Sequence, residues 1–343
     1  MKNNIGIGII GTGFMGRTYA ETTVKYNKGA KLVGVSGGSR AKSLAGDYEV
    51  AYEESPADLI GRDDMDAVII TTPESSHLEY TRMAADAGKH VLVEKPMAPS
   101  VKECDAMIKA CDEASVILMV VQSQRFRRVH QQAKKSLTEG RIGTVRQVRI
   151  WSALSESFSI PVTKARPWYR DPDGGLYFGQ CVHNFDMMHW IAGARPRRVF
   201  ANIQSYGNHG IPNLSVMAQV EFENGVAGQL WVCLEMPEIT FPNSQFHSQV
   251  VGDQGLLDFD GYSHLDIGKD GKWERVCEQP AFDILDPMDP VRLESYSDQN
   301  QAFIDSVREG KTPPVSGTDG KVAVELSLGA LQSARTGEPF LLP

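Results

Sequence analysis

The sequence predicts an α/β protein: an N-terminal doubly wound parallel sheet, followed by an α+β domain with a large, mostly antiparallel open sheet. Three observations point there. Short apolar runs alternate with helical segments through the first third of the chain, the pattern of parallel strands joined by crossover helices. A glycine-rich turn, Gly11-Thr12-Gly13-Phe14-Met15-Gly16, directly follows the first apolar run. After about Ser123 the pattern shifts to long alternating strands with hairpin turns. A chain of 343 residues exceeds what one core usually supports, so two domains are expected, 1–122 and 123–343, with the C-terminal helix free to pack back on the first.

Ile5 to Ile10 is β-branched and apolar, a first strand, and Arg17 to roughly Asn27 is helix-compatible. Gly11 suits the tight turn between them, Gly13 the approach of backbone to a pyrophosphate, and Gly16 the packing of helix on strand. Further strands are expected at Lys31–Val35, Ala67–Thr71, His90–Val93 and Val116–Val121, with helices at Ala41–Ala45, Leu78–Ala87 and Val101–Ala114. A basic helical stretch bearing Arg125, Arg127 and Arg128 then runs to Gly140. Beyond it, Ser215–Phe222 and Val226–Leu234 flank Asn224-Gly225, the strongest short hairpin signal, and strands follow at roughly 244–251, 255–260, 264–268 and 273–277. Met217, Trp231 and Cys233 lie on the face opposite Val216, Val220, Leu230 and Val232, so both faces of that sheet carry apolar groups. Either a second subunit or the chain's own helices cover the outer one.

Charge and composition narrow the partners. The formal net charge is −8 and the basic residues are scattered, which argues against nucleic acid and favours small molecules. No leader-like segment and no apolar run of membrane-spanning length is visible, so a cytoplasmic protein without a membrane partner is expected. Five cysteines without paired short spacing imply neither a disulfide framework nor a zinc site.

Ligands of open α/β sheets bind outside the carboxyl ends of the strands. Lys95, in Val91-Leu92-Val93-Glu94-Lys95-Pro96, sits at such an end, where its charge either faces ligand or merely pairs with Glu94. The end of the second strand reads Ser36-Gly37-Gly38-Ser39-Arg40, with no acid to hold a ribose 2′-hydroxyl. Small hydroxyls and an arginine suit a 2′-phosphate, so NADP is expected over NAD; Arg40 as an exposed helix-start residue leaves NAD open.

Several separated motifs resemble those of the Gfo/Idh/MocA family, that of glucose-fructose oxidoreductase and inositol dehydrogenase. They are the Gly11–Gly16 turn; Thr72-Pro73 with His77; Ala87 to Pro96; Arg125-Phe126; Gly140 to Gly143; Gly174-Gly175 with His183 and Asp186; and Gly320 to Gly337. The resemblance implies a Rossmann domain, a nicotinamide cofactor, and oxidation or reduction of a carbinol carbon of a sugar, polyol or related ring. It places Thr72, Pro73, His77, Glu94 and Lys95 beside the cofactor, together with the glycine turn and Ser36, Gly37, Ser39 and Arg40. It makes Lys95 the partner of the reacting oxygen and His183 the acid/base, suited to a proton that must leave as hydride leaves. Arg125, Trp168, Tyr169, Arg170 and Asn184 fall in or near substrate-facing segments of relatives. A homo-oligomer, dimer or tetramer, through the C-terminal sheet is expected.

Each assignment has a plainer rival. His183 can be a core histidine satisfied by Asp186, Trp168 can be core, and Arg170 can pair with Asp171 or Asp173. His183, Asp186 and His189 recur at three-residue steps, but such steps drift around a helix, so no metal is expected. Many relatives carry an aspartate four residues before the histidine, where this chain has Gly179. That departure keeps two further readings in view: a glycoside hydrolase using transient oxidation, and a silent nucleotide-binding sensor.

Overall fold

The structure, a computed structural model, describes residues 4–164, 170–171, 173–207, 210–239, 241–242 and 245–343. In chain order the first part carries β1 (Ile5–Ile10), α1 (Phe14–Glu21), β2 (Ala30–Ser36), α2 (Ala41–Tyr48), β3 (Ala51–Glu53), α3 (Pro56–Ile60), β4 (Ala67–Ile70), α4 (His77–Asp86), β5 (His90–Val93), α5 (Val101–Glu113) and β6 (Leu118–Val120). Then come α6 (Arg128–Thr138), β7 (Val145–Ser155), α7 (Glu156–Lys164), α8 (Gly175–Ala192), β8 (Pro196–Gln204), β9 (Ser215–Phe222) and β10 (Ala227–Met236). The chain closes with β11 (His247–Gly252), β12 (Leu256–Asp260), β13 (His264–Lys269), β14 (Lys272–Glu278), α9 (Pro290–Glu309), α10 (Gly317–Thr336) and β15 (Phe340–Leu341).

These elements form two compact units, residues 1–126 with 282–321, and 127–281 with 322–343. The return of 282–321 to the first unit differs from a simple split near residue 122, and buried polar contacts explain it. Gln122 N donates to Gln299 Oε1 at 2.9 Å, and Asn300 Nδ2 to Thr23 Oγ1 at 2.9 Å and Asn27 Oδ1 at 2.7 Å. Helix α9 starts sharply because the Asp289 carboxylate accepts from Val291 N and Arg292 N ahead of Pro290.

In the first unit the six strands run parallel in the order β3-β2-β1-β4-β5-β6. The order reverses between β1 and β4, and ligands of such sheets bind outside the strand ends at that switch point. Strand β1 is buried at every residue, as a central parallel strand with helices on both faces requires. Helix α1 begins at Phe14, three residues before the helix expected from the sequence, so Phe14, Met15 and Gly16 form its first turn. The edge strand β3 and helix α3 carry too few apolar positions to be read from periodicity; Ser55 caps α3, its hydroxyl accepting from Asp58 N at 3.1 Å.

In the second unit the sheet has nine strands, β14-β13-β12-β11-β7-β10-β9-β8-β15, antiparallel at every pairing except β7 with β10. Asn224-Gly225 closes the β9–β10 hairpin, with Phe222 N donating to the Val226 carbonyl at 3.0 Å. Helix α8 is apolar on nearly every side and packs on β7 and β10, burying Phe178, Cys181, Val182 and Phe185. The opposite sheet face is open in a single copy: Met217 is 62 % exposed, whereas Val216 beside it is 1 % exposed.

At the start of α1 a Cβ on Gly16 would sit 2.1 Å from the Gly11 carbonyl oxygen. Gly16→Ala is therefore expected to cost about 1–3 kcal/mol in chemical denaturation, since rigid backbone must move. Gly46→Ala, in α2 with nothing within 4 Å of the added carbon, is the control and should be neutral or stabilising. Equal stability of the two variants would contradict this packing.

Candidate active site

The first-unit site gathers at the carboxyl ends of β1, β2, β4 and β5. Gly11 has φ +98°, and its N–H donates to the Ser36 carbonyl at 2.9 Å, so the turn is tied to the end of β2. Thr71 Oγ1 donates to the Gly11 carbonyl at 2.6 Å and Thr12 Oγ1 to the Gly37 carbonyl at 2.7 Å. Around Gly13 there is room, with nothing within 4 Å of an added Cβ. The turn thus delivers the free N–H groups of α1 to an open corner, which suits the pyrophosphate of a dinucleotide.

A pocket of about 110 Å³ opens beside that corner, lined by Thr12, Gly13, Phe14, Arg17, Arg40 and Ser43, with Leu44 and Pro287 completing it. Among the described residues no carboxylate lines it. Arg17 Nη1 meets Asp47 Oδ2 at 2.8 Å, while Arg40, at the start of α2, is exposed and forms no ion pair among the described residues. Ser36 is fully buried, and its hydroxyl has no hydrogen-bond partner among the described residues; Ser39 is exposed.

His77 is buried, with Nε2 2.9 Å from the Thr72 carbonyl and Nδ1 3.1 Å from the carbonyls of Pro96 and Met97. The ring therefore fastens the Thr72-Pro73 turn to the turn after β5, and burial pulls its pKa below the ordinary value. Lys95 is half-buried and precedes a cis peptide to Pro96. Glu94 is buried; its Oε2 accepts from Lys95 N at 3.0 Å and its Oε1 lies 3.5 Å from the Tyr19 hydroxyl. Tyr19 in turn accepts from Gln299 Nε2 at 2.8 Å. Tyr19 and Gln299 escaped the sequence reading because each looks like an ordinary helix residue; the Asp289-Pro290 start of α9 is the signal for the latter.

Arg125 is 3 % exposed, and its guanidinium meets Asp319 at 3.2 Å and the Pro314 carbonyl at 3.2 Å. Although burial pushes the Asp319 carboxyl up, Arg125 and Ser316 hold it below its ordinary value. These contacts fasten the start of α10 to the short turn Ser123–Phe126.

The remaining candidates lie in the second unit. His183 is half-buried on α8, four residues after half-buried Gly179 and three before fully buried Asp186. Asn184 is fully buried, with Nδ2 donating to Ser152 Oγ at 3.0 Å on β7. Arg170 is exposed, and Trp168 and Tyr169 lie outside the described residues. His189 Nδ1 lies 3.0 Å from the Ala194 carbonyl. Among the described residues no group of three His, Cys, Asp or Glu side chains is arranged to hold a metal ion, and no helix is long and apolar enough to cross a membrane.

A glycine turn at the switch point of a six-stranded parallel sheet, followed by a separate mixed sheet, defines a dinucleotide-binding protein with a second α/β domain. Comparison with known families also divides the chain into two consecutive parts. Residues 5–122 match the NAD-binding Rossmann fold, and residues 134–342 the C-terminal alpha/beta domain, of one oxidoreductase family. The chain belongs to the Gfo/Idh/MocA oxidoreductase family. It is 27 % identical to a scyllo-inositol 2-dehydrogenase (NAD(+)) of Bacillus subtilis, over 100 % of this chain and 97 % of that protein. It is 28 % identical to a myo-inositol 2-dehydrogenase of Thermotoga maritima, over 95 % of each chain. In fold it is similar to an Agrobacterium radiobacter oxidoreductase solved with NAD+, L-tartaric acid and magnesium, with a TM-score of 0.87, 21 % identity and 98 % of each chain covered.

Burial holds the Glu94 carboxyl above its ordinary value, so the folded chain binds that proton more readily than the unfolded chain. The Glu94 contribution is then fullest below the ordinary carboxylate value and is lost as pH rises through the raised folded value. Glu94→Gln, carrying no charge, should melt higher than the wild type at neutral pH, with the gap narrowing as pH falls towards the ordinary carboxylate range. Calorimetry at several pH values checks this; a variant that melts lower at neutral pH would count against it.

Proposed function

We propose that the chain transfers hydride between NADP and a carbinol carbon of a sugar, polyol or related hydroxylated ring. The observation that carries the reading is Lys95 at the carboxyl end of β5, in the sheet whose switch point holds the glycine turn. The nicotinamide, when bound, accepts or returns the hydride. The lysine ammonium stabilises the oxygen that becomes an alkoxide, and the His183 imidazole takes the hydroxyl proton and returns it in the reverse direction. The half-buried settings of both residues support these roles, as does the naming of the two inositol dehydrogenases among the relatives. Support for NADP is the acid-free end of β2 and the pocket lined by Arg17 and Arg40, which suits the charge of a 2′-phosphate. NAD is the alternative, since one relative is an NAD(+) enzyme.

A panel of sugars, inositols and sugar acids, run with both dinucleotides, tests the reading. Lys95→Ala should lower kcat by about a hundredfold or more, and His183→Gln should remove the limb of the pH–rate profile set by the proton acceptor. Undiminished turnover in the lysine variant would overturn the mechanism, and tighter binding of NAD than of NADP would overturn the cofactor choice.

The open face of the nine-stranded sheet is proposed as the contact with a second copy. Phe200 at 45 % and Met217 at 62 % exposure leave apolar surface there on neighbouring strands β8 and β9, with Trp231 on β10 beside them. Met217→Lys should shift the sedimentation coefficient to that of a smaller species without lowering helix content. A wild-type monomer, or an unchanged assembly in the variant, would refute this contact.

A further inference from the structure

Arg292 is the bulkiest fully buried side chain among the described residues, at 1 % exposure. Arginine is seldom buried so completely unless an anion accompanies it. Here Nη1 donates to Thr18 Oγ1 at 3.1 Å and to the Pro287 carbonyl at 3.2 Å, and Nη2 lies 3.8 Å from Met15 Sδ. The guanidinium carbon stands 4.6 Å from the ring centroids of both Phe14 and Tyr296. Among the described residues it forms no ion pair. Glu94 and Asp289 feel its field without bonding to it, and the Asp289 carboxylate is already engaged with backbone N–H groups of Asp283, Val291 and Arg292.

The partners of this cation say where its charge is directed. Phe14, Met15 and Thr18 belong to α1, whose first turn follows the glycine turn, and Phe14 and Pro287 also line the small pocket that holds Arg17 and Arg40. The charge therefore lies immediately behind the pocket wall, where low dielectric screens it little. We propose that Arg292 is a positioning residue for the phosphates of the dinucleotide, fixing Phe14 and the first turn of α1 and adding a buried positive field to that corner without touching the ligand. The inference rests on the dinucleotide reading above. A purely structural staple between α9 and α1 would use the same rings and hydrogen bonds but would not distinguish charged from neutral ligands.

Titration with adenosine, AMP and ADP separates the two. In Arg292→Gln, ADP should bind about tenfold more weakly, AMP less so, and adenosine as in the wild type. Arg292→Lys, which keeps the charge and loses the planar stacking, should restore most of the ADP-to-adenosine affinity ratio. A loss of the same factor for all three ligands, or a lysine variant with the glutamine variant's ratio, would overturn the proposal. If the glutamine variant does not fold, the lysine variant alone decides, because the charge account requires it to keep most of the wild type's ADP-to-adenosine ratio. A wild type that binds neither AMP nor ADP would instead remove the dinucleotide reading on which the proposal stands.

Discussion

The close approach of α1 to the turn after β1 is the constraint on which the first unit depends. Gly16 stands where any side chain would strike the Gly11 carbonyl, and only that contact lets the helix begin at Phe14 with its free N–H groups at the switch point. Thr71 holds the same carbonyl from β4, and Ser36 holds the Gly11 N–H from β2, so three strand ends are locked to one turn. On the far side of α1, the buried Arg292 and the Asn300 contacts bring α9 into the same unit. The corner at the glycine turn is thus held by several neutral hydrogen bonds and one buried cation, and little of it relies on surface ion pairs.

The other strand ends show how ordinary packing and chemistry share residues. His77 sets its ring between the Thr72 and Pro96 turns, where burial lowers its pKa and the surrounding carbonyls, which an imidazole can satisfy from both nitrogens only when protonated, oppose that shift. Glu94 meets the backbone N–H of Lys95, so the carboxylate fixes the chain on which the lysine is carried. In the second unit, Asn184 is engaged with Ser152 inside the unit and His183 remains half-buried beside it on the same helix. Gly179 contributes no carboxylate to that helix face, which leaves His183 as the proton acceptor in the proposed chemistry.

Much of this was legible in the residues because local signals agreed with the fold. The β-branched run Ile5–Ile10, the glycines after it and the Asn224-Gly225 hairpin each demand a particular backbone, so pattern and structure coincide. What pattern missed is non-local. The membership of α9 in the first unit depends on Gln299 and Asn300 finding partners more than a hundred residues away, which periodicity does not encode. The engagement of Arg125 with Asp319 is hidden for the same reason, since its basic neighbours Arg127 and Arg128 make it look like one more solvated charge. Strand β3 is short and half-exposed, too slight for an alternation signal.

The central claim is that the turn Gly11–Gly16 and the end of β2 hold the dinucleotide. Hydrogen exchange of backbone amides, followed by mass spectrometry with and without saturating dinucleotide, tests it most directly. The account predicts slowed exchange concentrated in residues 11–17 and 36–43, with the central strands unchanged. Protection confined to the second unit, or no protection at the glycine turn, would contradict it.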